Sequence, residues 1–319
     1  MKAQKIHESI KMQPSAFAFF DTIPNEDAAR DYLAAARWPN GVCCSHCAND
    51  GAWKLRGGRL YTCKACRKQF TVRTGTVMED SKIPLQKWIF AMYLMTVSRK
   101  GVSSIQLAKQ LGITQKSAWF MAHRIREACS NGGLLTGTVE ADETYFGGKE
   151  KNKHASKRQH AGRGPVGKAA LFGVRSRDGE VRTQAIEEAN GLELRAALEK
   201  TVATGSTLCT DEHRGYLGQA AYRHETVKHG AGEYVDGNTH TNGIESFWAV
   251  MKRAYIGTFH HWSKKHLSRY ADEFTFKANT NGLPALDHGG DGSGIAAVRA
   301  FMAGMEGRRL TFKRLTANV

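Results

Sequence analysis

Long apolar runs are missing from this 319-residue chain. The longest, Trp88 to Val97, is about half of what a helix needs to cross a bilayer, and no apolar core follows a basic start at the N-terminus. A soluble, cytoplasmic protein is expected. Acid is scarce as well: 30 Asp and Glu stand against 46 Lys and Arg, for a formal net charge of +16 and a pI of about 9.6. Such a balance favours a polyanionic partner, nucleic acid first, although a solvated basic surface gives the same count. Cysteine is too sparse for a disulfide scaffold: there are seven, in a chain whose 41% hydrophobic content supplies a core, so a reducing compartment and no disulfides are expected. No internal repeat is present. A Gly-x-Ser-x-Gly elbow is absent, and Cys129 and Cys209 have no evident partner, which argues against acyl-enzyme chemistry.

What is present begins with two paired cysteines. Cys44-Ser45-His46-Cys47 and Cys63-Lys64-Ala65-Cys66 let four thiolates converge on one Zn²⁺, with Cys43 and His46 as neighbouring spare donors. Trp53–Leu55 and Arg59–Tyr61, around Gly57-Gly58, read as the hairpin of a zinc ribbon. Four thiolates close the metal's shell, so the site is structural. Arg56, Arg59, Lys64, Arg67, Lys68 and Arg73 give the ribbon a basic surface that suits phosphate or simply water.

Around the ribbon the pattern is helical. Asn25 caps a helix through Arg37, and a second helix runs from Pro84 to Ser98 on a stripe of Leu85, Trp88, Ile89, Met92 and Met95. Ser103 and Gln106 form a capping box for a short helix; Gly112 turns, and Thr114 caps another helix through Ala128. This is the spacing of a helix-turn-helix. Its second helix is expected to bury Ala118, Trp119, Ala122 and Ile125 and to offer Gln115, Lys116, Arg124 and Arg126 to a DNA groove, though short helix pairs also serve as plain hairpins.

From residue 134 the chain changes to strands. Val139-Glu140-Ala141-Asp142-Glu143-Thr144-Tyr145-Phe146 alternates like a strand, yet carries acids, and an acid within a strand needs compensation by a cation or hydrogen bonds. A basic loop to Lys168 follows. Ala169–Val174 and Val181–Glu187 form a hairpin across Arg177–Glu180; Gly191–Val202 is a helix; Ser206–Thr210 is a strand ending at Asp211; a short helix near Gly215–Ala221 and a strand near Tyr222–Val227 come next. Asn242 caps a helix that carries Glu245 and, nearly two turns on, Lys252. The order βββαβαβα gives a mixed sheet flanked by helices, α/β in class. Asp142, Asp211 and Glu245 can converge at one edge of it and hold two Mg²⁺ or Mn²⁺ ions for phosphodiester displacement. Each acid has a plainer reading too: Glu245 as part of a capping box, Asp211 as a turn acid, Asp142 bonded to backbone amides. Glu140, Glu143 and Glu212 are adjacent acids, and Glu140 shares the strand face of Asp142.

The blocks VEADETYFGGKEKNKH, TDEHRGY and NGIESFWAVMKRAYIGTFHHWSKKHLSRYADEF resemble the signatures of bacterial insertion-sequence transposases of the DDE class. More narrowly, they resemble the group with an N-terminal zinc ribbon and a lysine after the third acid. WPNGVCCSHC, KQFTVRTGTVMEDSKIPLQKW and SSIQLAKQLGITQKSAWFMAHRIRE resemble the same group. The resemblance implies an RNase-H-like catalytic fold with Asp142, Asp211 and Glu245 as metal ligands and Lys252 at the DNA. Arg253 beside it and Lys264 beyond the helix are basic positions expected at DNA as well, with a solvated turn as the plainer reading of Lys264. It also implies release of a 3′-hydroxyl at the element end and attack of that hydroxyl on target DNA. Its partners would be double-stranded DNA and further copies of the chain, a dimer or higher on two DNA ends.

Five segments are expected: a helical segment at 1–38, the ribbon at 39–79, the helix-turn-helix at 80–131, the catalytic domain at 132–281, and a glycine-rich linker with a basic tail at 282–319. The tail holds Arg308, Arg309, Lys313 and Arg314, suited to DNA or a second subunit. The rival readings are a DNA-binding regulator without catalysis and a metal-dependent nuclease.

Overall fold

Asn25 accepts hydrogen bonds from the amides of Asp27 and Ala28 at 3.1 and 2.9 Å, and so starts a helix where the sequence predicts one. In the computed structural model, residues 15–129, 132–148, 150–158, 166–216, 218, 220–227, 240–281 and 295–317 are described. The expectations for residues 1–12, for the linker at 282–294, and for parts of the loops before Lys168 and Asn242 lie outside them. The chain divides into two units, one of residues 1–129 with 283–319, the other of residues 130–282.

The first unit opens with α1 (Ala16–Thr22) and α2 (Glu26–Arg37). A three-stranded antiparallel ribbon follows: β1 (Ala52–Leu55), β2 (Leu60–Cys63) and β3 (Gln69–Phe70). Trp38 packs its ring against Tyr61 and Phe70 at 5.2 and 5.9 Å, tying the ribbon to α2. Next come α3 (Leu85–Val97), α4 (Ser104–Leu111) and α5 (Gln115–Glu127). On α3 burial extends beyond the expected stripe to Ala91, Tyr93 and Leu94, as befits a central helix. Pro84 offers α3 no side-chain cap; Glu26 of α2 takes that role, accepting from the amides of Leu85 and Gln86 at 2.9 and 3.1 Å.

The second unit is a five-stranded mixed sheet built from β4 (Thr138–Phe146), β5 (Ala169–Ser176), β6 (Val181–Ile186), β7 (Thr207–Thr210) and β8 (Arg223–Thr226), in the order β6-β5-β4-β7-β8. The first three strands form an antiparallel meander; β7 joins β4 in parallel and β8 joins β7 in parallel. Between β6 and β7 lies α6 (Gly191–Thr201), and after the sheet come α7 (Asn242–Ala254) and α8 (Leu267–Asn281). In place of the short helix expected near Gly215 there is a single 3₁₀ turn, Arg214–Tyr216.

Strand alternation sorts the core into two layers. Val139, Ala141, Phe172 and Val174 pack with Leu194 and Leu198 of α6. On the other side, Leu171 and Phe146 meet Ile244, Trp248 and Met251 of α7 and Phe274 of α8. This is a mixed α/β, RNase-H-like core with flanking helices, preceded by a zinc-ribbon and helical region.

The C-terminal segment is no free tail. In the first unit, α9 (Ile295–Ala303) packs on α3 and α2, burying Val298, Phe301 and Met302, and Leu315 of α10 (Phe312–Thr316) is buried as well. Arg308 donates to the carbonyl of Glu127, and Arg309 pairs with Asp80 at 2.7 Å. No described helix is long and apolar enough to cross a membrane.

Candidate active site

Parallel pairing of β4 with β7 sets Glu140 opposite Cys209. Carrying that register two residues on brings Asp142 level with Asp211, which directly follows the last residue of β7. Asp142, midway along the central strand, and Asp211, just past the end of β7, therefore lie side by side. On its other flank Asp142 pairs with Gly173 of β5. At Gly173 a Cβ would come within 2.5 Å of the Trp248 ring, so α7 lies close over β5 there, and it carries Glu245 one turn before Trp248. The four cysteines of the ribbon lie in the other unit.

The electrostatics of these acids agree with the register. Burial pushes the Asp142 carboxyl up to about 7, and the negative charges of Glu143, Asp211 and Glu245 add to the rise. A group with three carboxylates around it is poised to hold a proton or face a cation. Asp211 is oriented by the amide of His213, 2.9 Å from its Oδ1. Glu245 accepts from the Thr241 hydroxyl at 2.7 Å. The three carboxylates are not drawn into a tight cage: among the described residues, the four cysteines are the one group of three or more His, Cys, Asp or Glu donors all within 4.8 Å of one another. A pair of ions about 3.5–4 Å apart spans a wider set of ligands than one ion does, so this donor set, hard oxygens only, suits Mg²⁺ or Mn²⁺.

Lys252, nearly two turns along α7 from Glu245, is exposed and lines a cleft of about 420 Å³ with Tyr145, Gly147 and Gly148 at the end of β4 and with Asn152 and Tyr255. Arg253 and Lys264 are exposed too.

Two residues beside the acids carry roles that sequence did not give them. Glu143, pushed up chiefly by burial, accepts from the Tyr216 hydroxyl at 2.9 Å and faces His213 Nε2 at 3.8 Å. Burial and the Glu143 charge hold the Tyr216 hydroxyl well above its usual value, which keeps it a donor. Glu140 lies 3% exposed beneath the start of α7. The shared strand face of Glu140 and Asp142 was the only sequence signal for it.

The helix starts differently from expectation. Asn242 is the first residue of α7, not its cap; the cap position is Thr241, whose side chain makes no capping bond.

The metal centre of the ribbon is closer to complete. The Cys44–Cys66 and Cys47–Cys63 sulfurs are 3.8 and 3.6 Å apart, near the ~3.8 Å edge of a tetrahedron with Zn–S bonds of about 2.3 Å. Amides of Ala65 and Cys66 point at the Cys63 sulfur at 3.3 and 3.4 Å, and that of His46 at Cys44 at 3.4 Å. Four cysteines so placed fit a structural Zn²⁺.

On the helix pair the sequence reading needs correction. Ser103 and Thr114 cap α4 and α5 through the amides of Gln106 and Ser117 at 3.3 and 3.2 Å, and Gln115 and Lys116 are exposed. Arg124 and Arg126 are not: they are 6% and 2% exposed. Arg124 donates to the Glu79 carbonyl and stacks over Trp88 and Phe120 at 5.2 and 5.3 Å. Burial in the low-dielectric interior pulls its guanidinium down to about 10. A side chain so held cannot reach a DNA groove, and Arg124 leaves the DNA-facing set.

Comparison with known proteins follows the division of the fold. Residues 134–279 match the model of an ISXO2-like transposase domain, and residues 24–69 that of a transposase zinc-ribbon domain. A protein in transposable element ISH50 of Halobacterium salinarum is 31% identical over 272 residues, covering 80% of this chain and 92% of that protein.

Proposed function

Because the chain belongs to the DDE transposases that carry a zinc ribbon, the ISXO2-like group, we propose that it cuts DNA at the ends of an insertion sequence and joins the freed ends to target DNA. The supporting observation is the level placement of Asp142, midway along β4, and Asp211, just past the end of the parallel strand β7, with Glu245 on the helix over the neighbouring strand. These three side chains would hold Mg²⁺ or Mn²⁺. When bound, such ions lower the barrier to in-line displacement at phosphorus by neutralising charge on the attacking and leaving oxygens.

In the first step a water oxygen forms a bond to phosphorus and the bond to the 3′-oxygen breaks, so that oxygen leaves with a proton. In the second, the oxygen of that 3′-hydroxyl bonds to a target phosphorus, the bond from that phosphorus to the target 3′-oxygen breaks, and the hydroxyl proton ends on the departing oxygen. Neither step needs a covalent bond to the protein. Lys252 is assigned to a DNA phosphate or base in the cleft beside β4, with Arg253 and Lys264 as further contacts on the same unit, and Gln115 and Lys116 contact DNA from the helix pair. Two ends must be brought together, so the working form is a dimer or higher on DNA. A basic, zinc-bearing protein of this kind acts on DNA in the cytoplasm.

The test is Asp142→Ala, assayed with Mg²⁺ or Mn²⁺ on DNA carrying the element's own ends. Metal-dependent cleavage and joining by the parent chain, both abolished in the variant, are the expected results. Activity unchanged in the variant sinks the reading; cleavage without joining by the parent chain makes the protein a nuclease; DNA binding without either makes it a regulator.

A further inference from the structure

We propose that Glu140 is a positioning residue: it caps α7 from the neighbouring strand and so frees Thr241 to orient Glu245 toward Asp142. The proposal rests on the catalytic reading above and deepens it.

A helix leaves its first amides without partners, and a cap side chain commonly accepts from the second or third of them. In α7 the third is Ile244. Its amide donates to Glu140 Oε2 at 2.8 Å, across 104 residues of sequence. The residue at the cap position, Thr241, would ordinarily serve that amide. Its hydroxyl instead donates to Glu245 Oε1 at 2.7 Å. The two side chains divide the work between them, Glu140 holding the helix end and Thr241 holding the acid.

Packing at the helix start leaves room for this arrangement. A Cβ at Gly243 would come within 2.8 and 3.0 Å of the two Glu140 oxygens, so a larger residue there would press on the strand carboxylate that reaches the helix. Arg175 of β5 fixes the same turn, donating to the Gly243 carbonyl at 2.7 Å.

Glu140 is no fourth cation ligand. Its Oε1 pairs with Arg177 and lies 3.2 Å from His240 Nδ1, and its Oε2 is committed to Ile244. A buried carboxylate with both oxygens engaged, one of them by a guanidinium, has its charge already balanced. Its negative charge at the N-terminus of α7 also complements the helix dipole.

The experiment compares Glu140→Ala and Glu140→Gln with the parent chain and with Asp142→Ala. The readouts are Mn²⁺-dependent DNA cleavage, the Mn²⁺ concentration for half-maximal cleavage, the Tm shift caused by Mn²⁺, and hydrogen exchange at the Ile244 amide. Glu140→Ala is expected to lose protection at Ile244 and to need ~10- to 100-fold more Mn²⁺, as when a group that orients a ligand is removed. Glu140→Gln keeps an acceptor for Ile244 and is expected to restore both toward the parent values, while DNA affinity stays the same in both. Parent-like Mn²⁺ dependence in Glu140→Ala overturns the proposal. So does a Glu140→Gln that protects Ile244 yet is as inactive as Asp142→Ala, since the carboxylate would then act directly. Should the parent chain show no metal-dependent cleavage, the catalytic reading fails separately. The proposal is then decided by Ile244 exchange and the Mn²⁺-induced Tm shift, where equal values in parent and Glu140→Ala overturn it.

Discussion

Single residues in this protein are defined by what surrounds them more than by their type. Asp142 and Arg124 show it with opposite signs. The folded-state value of about 7 for Asp142 lies above the 3.8 of an ordinary aspartate, so the folded chain keeps a proton that the unfolded chain releases. The stability contributed by that proton is present below about pH 4 and lost as the pH rises to 7. Asp142→Asn, which removes the charge, is expected to raise the Tm of the metal-free protein by about 3–6 °C at pH 8 and to leave it unchanged at pH 4, as thermal scans at the two pH values will show. Arg124 is bound into the interior of its unit, so Arg124→Ala is expected to cost roughly 2–4 kcal/mol of stability in denaturant titrations. Lys116→Ala, at an exposed position, is expected to leave stability within about 0.5 kcal/mol while weakening DNA binding and reducing its salt slope by about one.

Among elements, a shared device recurs. Neither α3 nor α7 has a working cap of its own, and each is closed by a glutamate from elsewhere, Glu26 for α3 and Glu140 for α7. A cap of this kind fixes a helix to a particular neighbour, which a local cap does not. The C-terminal helices serve a similar end. Since α9 buries Val298, Phe301 and Met302 in the first unit, a chain ending at residue 294 is expected to expose the faces of α2 and α3 that they cover. Its first unit should melt at least ~5 °C lower while the second keeps its transition, measured by calorimetry.

For the whole molecule, each unit buries apolar side chains of its own, Trp88, Ile89 and Met92 among them in the first and Leu171, Phe172 and Trp248 in the second, and the cysteine cluster lies in the first. Removal of Zn²⁺ by a chelator is expected to abolish or lower the transition of the first unit and to leave that of the second in place, with about one Zn²⁺ released per chain on a chromophoric indicator. The net charge of +16 makes DNA affinity steeply dependent on salt.

Much of this was written locally. Two paired-cysteine knuckles fix a zinc ribbon because ligand spacing within a turn decides which sulfurs can meet. Ser103, Thr114 and Asn25 cap the helices the sequence predicts, because a cap acts within three residues. The alternation of Val139 to Phe146 and the order of strands and helices likewise gave the mixed sheet. What the tertiary structure alone decided are the pairings across distance. Register sets Asp142 level with Asp211, Glu140 reaches Ile244 across 104 residues, and Arg124 turns from an exposed cation of a helix face to a buried one because α5 meets Glu79 and Trp88. Periodicity shows which residues share a face of an element; it carries no information on what that face is packed against, and burial, charge and ligation are properties of the packed neighbour as much as of the residue.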